Sequence, residues 1–359
     1  MTLRILVTGE GPWTTVSGGC PGDFKGEHIS EVRPLCIAEA LQKAGHTVSF
    51  LSEKGIADNP GGFSFRCVGK EADPSDYDVI VCHQSMFWYY QGFDRLREHP
   101  NILISGDLFP RKETPQNIRW IFYDAPGHVE APALRKKWPK AVIQEGCFGV
   151  TEYKTFSDPF PNHDRPNIVY LGKIYDLSNI ELMNGLADSG NFNIWFGGKI
   201  AGRHVGKTYD APLTDTERKT LFSDRVEFLV HRPNYHGPVS TMEAARYCQH
   251  ADLGLVFDPG IRTATVSKMY FYMSCGTPSL IIGGCSNAAH APLIQAGSTV
   301  IPGMWRKDSK DRIIRVVSEA LKKQLGPGSD REGIKQRALK QFGYAETIKP
   351  WLKCWEQGF

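Results

Sequence analysis

The sequence predicts two doubly wound α/β domains in series, and three observations carry that expectation. At 359 residues the chain exceeds an ordinary single domain and suits two, each able to bury its own core. Short β-branched runs alternate with helical stretches along the whole length. These runs hold four to six apolar residues without polar alternation, as expected of strands covered on both faces of a parallel sheet.

In the first half, strands are expected at Arg4–Val7, Val48–Leu51, Val79–Cys82, Ile102–Ser105, Ile121–Tyr123 and Val142–Gln144. The second half offers Ile168–Leu171, Asn193–Phe196, Val226–Leu229, Leu253–Phe257, Ser279–Ile282 and Thr299–Ile301. Between the first two, Ile29, Val32, Cys36, Ile37, Ala40 and Leu41 share one helical face. Pro34 is expected in or near the first turn of that helix, where proline is tolerated. Gly45 ends the helix, and His46 reads as a helix-end residue rather than a catalyst. The clearest break is Phe156–Asn167, where three prolines among polar residues mark a linker. The expected division is therefore 1–160, 161–332 and a C-terminal helix, 333–359, whose Trp351 and Trp355 dock it back onto the body. In doubly wound sheets ligands sit outside the carboxyl ends of the strands, so chemistry is sought there.

Composition narrows the class. Hydrophobic residues at 41% and charged residues at 23% are ordinary for a soluble globular protein. No stretch reaches the apolar length of a membrane span, and the first apolar run, Leu3–Val7, is too short for a signal peptide. Nine scattered cysteines without a C-x-x-C spacing argue against a disulfide framework or a structural zinc site. They suit a reducing cytoplasm. A net charge of +3 permits a polyanionic partner only if the basic residues cluster.

The most specific stretch is Ala251–Ile282. A strand ends at Phe257, a loop follows, a helix begins near Ser267, and Gly276-Thr277-Pro278 turns into the next strand. A helix N-terminus with free N–H groups, and Lys268 in its first turn, suits a diphosphate. The plainer alternative makes Lys268 a solvated helix residue and Gly276 a helix cap. Tyr170-Leu171-Gly172-Lys173 places a glycine and a lysine after a strand, where the backbone can approach phosphate closely. Trp195-Phe196-Gly197-Gly198-Lys199 repeats the arrangement one strand later. Arg203, His204, Arg232 and Arg262 are further cleft candidates. In the first half, Thr8-Gly9-Glu10-Gly11 lacks the third glycine of a dinucleotide turn. Asp76-Tyr77-Asp78 has the D-x-D form of a manganese site but directly precedes a strand, and it reads as structural. No metal-ligand spacing occurs, so any Mg or Mn would arrive with a donor pyrophosphate.

The segment S-K-M-Y-F-Y-M-S-C-G-T-P resembles the donor-binding motif S-K-x-x-E-Y-x-x-x-G-x-P of glycosyltransferases with the GT-B architecture, two Rossmann-like halves facing a cleft. Ser267, Lys268, Tyr272, Gly276 and Pro278 match it. The acidic position, which in that family binds the ribose hydroxyls, is Phe271. The resemblance implies a nucleotide-sugar donor, UDP-glucose above all, bound through Gly172, Lys173, Gly197, Gly198, Arg232, Ser267, Lys268 and Gly276.

Within that architecture the layout is similar to the bacteriophage DNA β-glucosyltransferases, which modify hydroxymethylated cytosine. Asn101-Ile102-Leu103-Ile104-Ser105-Gly106-Asp107-Leu108-Phe109-Pro110 and the aromatic strand, acidic helix start and I-Q-E-G within Asn117–Gly146 carry this likeness. It implies that Asp107 is the general base deprotonating the attacking hydroxyl, against the plainer reading of an aspartate capping a turn. Glu27, His28 and Glu31 are second-choice acid/base groups. A double-stranded DNA acceptor would meet Arg111, Lys112 and Arg119, together with Arg135, Lys136, Lys137, Trp138 and Lys140. A lysine-rich run is equally a solvated helix face. Met86-Phe87-Trp88-Tyr89-Tyr90 could stack on a flipped base or a sugar. The alternatives are a saccharide, lipid or small-molecule acceptor, a nucleotide-sugar isomerase without an acceptor, and a catalytically silent DNA-binding module.

Overall fold

The computed structural model describes residues 1–8, 29–51, 65–69, 72–83, 98–106, 117–123, 131–146, 149–171, 183, 185–197, 239–258, 267–283, 298–301, 310–325 and 330–358. The chain forms two compact units. The first joins Met1–Lys154 to the C-terminal stretch from Ala338, and the second comprises most of Thr155 to Arg337.

Unit 1 is a parallel sheet of seven described strands, β1 (Arg4–Thr8), β2 (Thr47–Leu51), β3 (Arg66–Val68), β4 (Val79–His83), β5 (Ile102–Ser105), β6 (Ile118–Tyr123) and β7 (Val142–Glu145), in the order β3-β2-β1-β4-β5-β6-β7. Alternation along each strand divides the apolar residues between two faces. Ile5, Val7, Val79, Val81, Leu103, Trp120 and Phe122 join one core, and Leu6, Ile80, Cys82, Ile102, Ile104 and Ile121 the other. β4 and β5 are buried at every position. β7 departs from the expected pattern: it is a sheet edge, and Val142 is exposed. β3 was not among the expected strands, because three residues are too few for a visible run.

Helix α1 (Ile29–Lys43) covers the first face together with α7 (Tyr344–Gly358). Pro34 is the sixth residue of α1, deeper than the expected first turn. Without an N–H it gives no donor to the carbonyl of Ser30, and the helix continues because packing outweighs that loss. Leu35, Cys36, Ile37, Ala38, Ala40 and Leu41 are all buried, so the helix is covered on more than one side. It closes on Gly45 at φ +93°, with Gly45 N–H to Gln42 O at 2.9 Å and His46 N–H to Leu41 O at 3.3 Å. His46 Nδ1 then accepts from Leu3 N–H at 3.2 Å, which fixes a structural role. In α7, Trp351 packs against Phe122 and Trp355 against Trp120, with ring centroids 5.8 and 6.3 Å apart. Each buried indole contributes on the order of 5 kcal/mol of transfer free energy, which holds the C-terminal helix onto the sheet. Arg119 bonds Asn101 Oδ1 at 2.6 Å and the carbonyl of Gly358, tying the end of α7 down as well. Asp76 lies in a 3-10 turn (Pro74–Asp76), and Asp78 accepts from Arg4 N–H at 2.7 Å and pairs with its guanidinium at 3.2 Å. This is the structural role expected of D-Y-D.

Unit 2 has five described parallel strands, β8 (Asn167–Leu171), β9 (Asn193–Gly197), β10 (Leu253–Asp258), β11 (Ser279–Gly283) and β12 (Thr299–Ile301), ordered β12-β11-β10-β8-β9. The expected strand Val226–Leu229 lies outside the described residues. Helix α3 (Thr241–His250) follows α2 (Ala131–Lys137) of unit 1 in the described chain and begins with a capping box between Ser240 and Glu243. Its last carbonyls are closed by Arg331, whose guanidinium reaches Ala251 O at 2.7 Å, Gln249 O at 2.8 Å and Cys248 O at 3.3 Å. Helix α4 (Ser267–Ser274) joins β10 to β11 in sequence, and α5 (Lys310–Gln324) contributes Ile313, Val317, Ala320 and Leu321 to the core under Tyr170, Leu255 and Leu280. The chain returns to unit 1 within α6 (Arg331–Phe342).

The proline-bearing stretch Phe156–Asn167 is a packed strap in unit 2 rather than a free spacer. Phe160 meets Trp195 and Tyr247 at 5.0 and 5.5 Å between centroids. Phe156 N–H donates to Gln249 Oε1 at 2.9 Å, and the fully buried Asn167 accepts from Trp195 Nε1 at 2.9 Å.

Candidate functional site

In unit 2 the strand order reverses between β8 and β10, the point at which α/β sheets bind ligands beyond their carboxyl ends. β8 ends at Leu171 and β10 at Asp258, and α4 begins nearby with Ser267 and Lys268. Lys268 Nζ donates to Tyr170 Oη at 2.8 Å and stands 4.1 Å from the centre of that ring. Tyr170 in turn packs on Phe257, centroids 5.5 Å apart. Burial pulls the Lys268 ammonium down to about 7. The first turn of α4 holds no acidic residue, so the cation faces the positive end of the helix dipole. An anion at the helix N-terminus would favour the charged form of this lysine.

The floor beneath is closely packed. Tyr272 of α4 is fully buried, accepts from Leu171 N–H at 2.9 Å and donates to Leu255 O at 3.4 Å. Burial also raises its phenol well above the usual range. α4 closes in a Schellman turn: Gly276 N–H reaches Met273 O and Thr277 N–H reaches Tyr272 O, both at 2.9 Å. Gly276 adopts φ +76°, and a Cβ there would lie 2.9 Å from Arg331 O. Its described role is therefore the helix cap. Gly276→Ala is expected to cost roughly 2–3 kcal/mol, read as a lower urea midpoint with an unchanged slope; an unmoved midpoint would refute the cap.

Phe271, at the position the motif gives to an acid, is 7% exposed and packed in the interior, so it brings no charge to the site. Gly197 ends β9, and a Cβ there would lie 2.9 Å from both Leu171 Cδ2 and Val239 Cγ2, so a side chain at this position would require those two to shift.

Of the remaining residues singled out by sequence, Glu27, His28, Asp107, Arg111, Lys112, Gly172, Lys173, Gly198 and Arg232 lie outside the described residues, as do Arg203, His204, Arg262 and Met86–Tyr90. β5 is described to its end at Ser105, two residues before Asp107. Arg119 is engaged as given above and stacks 4.7 Å over Trp120. Arg135, Lys136 and Lys137 form the last turn of α2, where cations complement the helix dipole. Lys137 lies 4.8 Å over the buried Trp138 ring, and Lys136 is exposed. Among the described residues no group of three or more His, Cys, Asp or Glu could hold a metal ion, and no helix is long and apolar enough to cross a membrane.

The same two-unit α/β arrangement occurs in solved structures. A sucrose-phosphate synthase from Thermosynechococcus elongatus matches with TM-score 0.64 at 14% identity, over 99% of this chain and 98% of that one. A glycosyltransferase involved in avilamycin A biosynthesis matches with TM-score 0.59 at 13% identity, over 99% and 97%. A protein described as a UDP-N-acetylglucosamine 2-epimerase from Listeria monocytogenes matches with TM-score 0.56 at 12% identity, over 99% and 96%. The fold is GT-B. In GT-B terms unit 1 is the N-terminal half and unit 2 the C-terminal half that carries Lys268. No protein-family model matches the sequence, and no curated protein matches it by sequence.

Two features are not legible in the sequence. In unit 2, Tyr170 reads only as the flank of a glycine turn, and its bond to Lys268 spans 98 positions. In unit 1, His83 and Ser105 meet at the carboxyl edge of the sheet, yet Ser105 reads only as the end of an apolar run and His83 lies one residue beyond another.

Proposed function

We propose that this chain is a glycosyltransferase that moves a hexosyl group from a nucleoside-diphosphate sugar, a UDP-sugar first of all, to a hydroxyl of a saccharide or small-molecule acceptor. Lys268 carries the reading. It is a half-buried ammonium in the first turn of α4, at the reversal point of unit 2's sheet, held against Tyr170. A donor diphosphate would place its negative charge against both the ammonium and the N–H groups of the helix start. Ser267 would add its helix-terminal N–H, and Gly276 keeps α4 in place. Gly172, Lys173, Gly198 and Arg232 remain proposed donor contacts, and any Mg or Mn would enter with the pyrophosphate. With Phe271 in the acidic position, the ribose hydroxyls are held by another group.

The acceptor class is supported by the GT-B likenesses, which include a sucrose-phosphate synthase and an antibiotic-pathway glycosyltransferase. The hydroxymethylated-DNA reading draws on the phage resemblance and on basic residues that, where described, serve α2 and α7. Asp107 stays the proposed base. The epimerase likeness supports a second outcome, conversion of the free donor.

The deciding experiment incubates the purified chain with labelled nucleotide-sugars, alone and with a panel of sugars, sugar phosphates, aglycones and hydroxymethylated or plain duplex DNA. Label in a small soluble acceptor is expected. Label in DNA only would move the acceptor to a modified base, and donor conversion with no acceptor would replace transfer by isomerisation. Absence of all three would overturn the reading.

A further inference from the structure

At the carboxyl edge of unit 1's sheet lies a polar cluster that donor binding does not use. β4 ends in His83, and its neighbour β5 ends in Ser105. Their side chains meet, His83 Nδ1 lying 3.2 Å from Ser105 Oγ. Arg33 of α1 joins them from the helix side. His83 is 4% exposed and Arg33 3%. His83 Nε2 is buried and has no hydrogen-bond partner among the described residues. The ring borders a cavity of about 10 Å³ that Arg33, Ser105, Phe122, Thr347 and Trp351 also line. That volume admits one oxygen-sized atom.

The electrostatics have a definite sign. Burial, and after it the charge of Arg33, holds His83 well below the usual histidine range, so the imidazole is neutral at pH 7. Its Nδ1 can then accept from the Ser105 hydroxyl, which leaves Nε2 as an N–H donor on a ring that borders the cavity. Arg33 stays charged at any working pH, and it stands close enough for its charge to act on the His83 ring. The location fits as well. β4 lies beside β1 at the reversal of unit 1's strand order, where this class of sheet gathers ligands.

We propose that Arg33, His83 and Ser105 form a receptor for one oxygen of an anionic group, a carboxylate or a phosphate, carried by the acceptor. The acceptor as carrier of that group rests on the transfer reading; the oxyanion site stands without it. His83 Nε2–H binds the oxygen, Arg33 supplies the charge, and Ser105 is a positioning residue that fixes the tautomer. A bound anion stabilises the imidazolium, so occupancy raises the affinity of His83 for a proton.

The test titrates the full-length chain at pH 6.5 with inorganic phosphate and, separately, with acetate. It is run in the wild type saturated with UDP and again in Lys268→Ala, so that neither result can come from the donor side. Binding is followed by calorimetry and by the imidazole signals in a nitrogen-correlated NMR spectrum. The His83 signal is the one missing from His83→Asn. Saturable binding of one of the ions is expected to move that signal, with affinity lowered at least tenfold in His83→Asn and about threefold in Ser105→Ala. Ser105→Ala removes one hydroxyl and serves if the Arg33→Gln or His83→Asn variant fails to fold. Which ion binds tells phosphate from carboxylate. An unmoved His83 signal with both ions, or equal affinity in wild type and Ser105→Ala, would mean that the cavity holds only a structural water, and the proposal would fall. Loss of UDP binding with the His83 response intact would sink the donor reading and spare this one.

Discussion

Replacing Lys268 by methionine is expected to weaken nucleoside-diphosphate binding roughly 10- to 150-fold, the loss of one charge-assisted contact worth about 1.5–3 kcal/mol. The effect should depend on pH in a way that a solvated lysine could not produce. In the free chain the Lys268 ammonium titrates at about 7, because burial penalises its charged form. The unfolded chain keeps that proton up to the ordinary lysine range. Between those limits the unfolded state binds more protons, so Lys268 makes the free protein more stable as pH rises from about 7. Donor affinity runs the other way. Above pH 7 the protein must take up a proton to give the diphosphate its cation, and affinity falls with each further unit. Calorimetry of UDP binding at pH 8, in buffers of different ionisation enthalpy, should register uptake of a proton in wild type and none in Lys268→Met. In Lys268→Arg the charge is retained without titration, and affinity should become flat across this range. A wild-type affinity that is flat from pH 7 to 9, or unchanged in Lys268→Met, would put the phosphate site elsewhere.

The legible part of this molecule was its rhythm. Continuous apolar runs such as V-I-V-C and I-L-I-S mark strands buried on both faces, and β4 and β5 are buried throughout. Gly45 and Gly276 were readable as helix ends because both sit where a left-handed residue closes a turn. What depends on pairing across the chain was not readable. Lys268 and Tyr170 meet only because β8 and β10 are neighbours, an order that no local pattern encodes. His83 and Ser105 likewise need the register of β4 on β5. Local rules also misjudged Pro34, since the core on both sides of α1 overrides a missing N–H, and β3, which is too short to declare itself. The strap at Phe156–Asn167 shows the converse. Its prolines look like a spacer, yet Phe160 and Asn167 are anchors whose partners lie in β9 and α3.

Gly254→Val should be the most damaging single change in unit 2. Gly254 lies in β10 directly beneath the ring of Tyr272, where a Cβ would stand 2.3 Å from Cδ2 and 2.6 Å from Cγ. No rotamer of a buried ring absorbs such an overlap, so Tyr272 must move. Overpacking of this kind costs about 1–3 kcal/mol. Moving the phenol also leaves Leu171 N–H, now bonded to Tyr272 Oη at 2.9 Å, without its acceptor, which adds about 1–3 kcal/mol. Together these come to about 2–6 kcal/mol, a large share of the roughly 5–15 kcal/mol that typically holds a domain together. Chemical denaturation of the full chain should show the transition of unit 2 shifted to much lower urea. Gly254→Ala gives the interpretable series, because removing the ring in Tyr272→Ala makes room for the added methyl. The second substitution should then cost almost nothing, and the double-mutant cycle should show strong coupling. Additive losses in that cycle would mean the ring does not limit the space at Gly254. UDP affinity offers an independent reading. Tyr272 holds the end of β8 beside Tyr170 and Lys268, so Gly254→Ala should weaken the donor even under conditions where the chain remains folded.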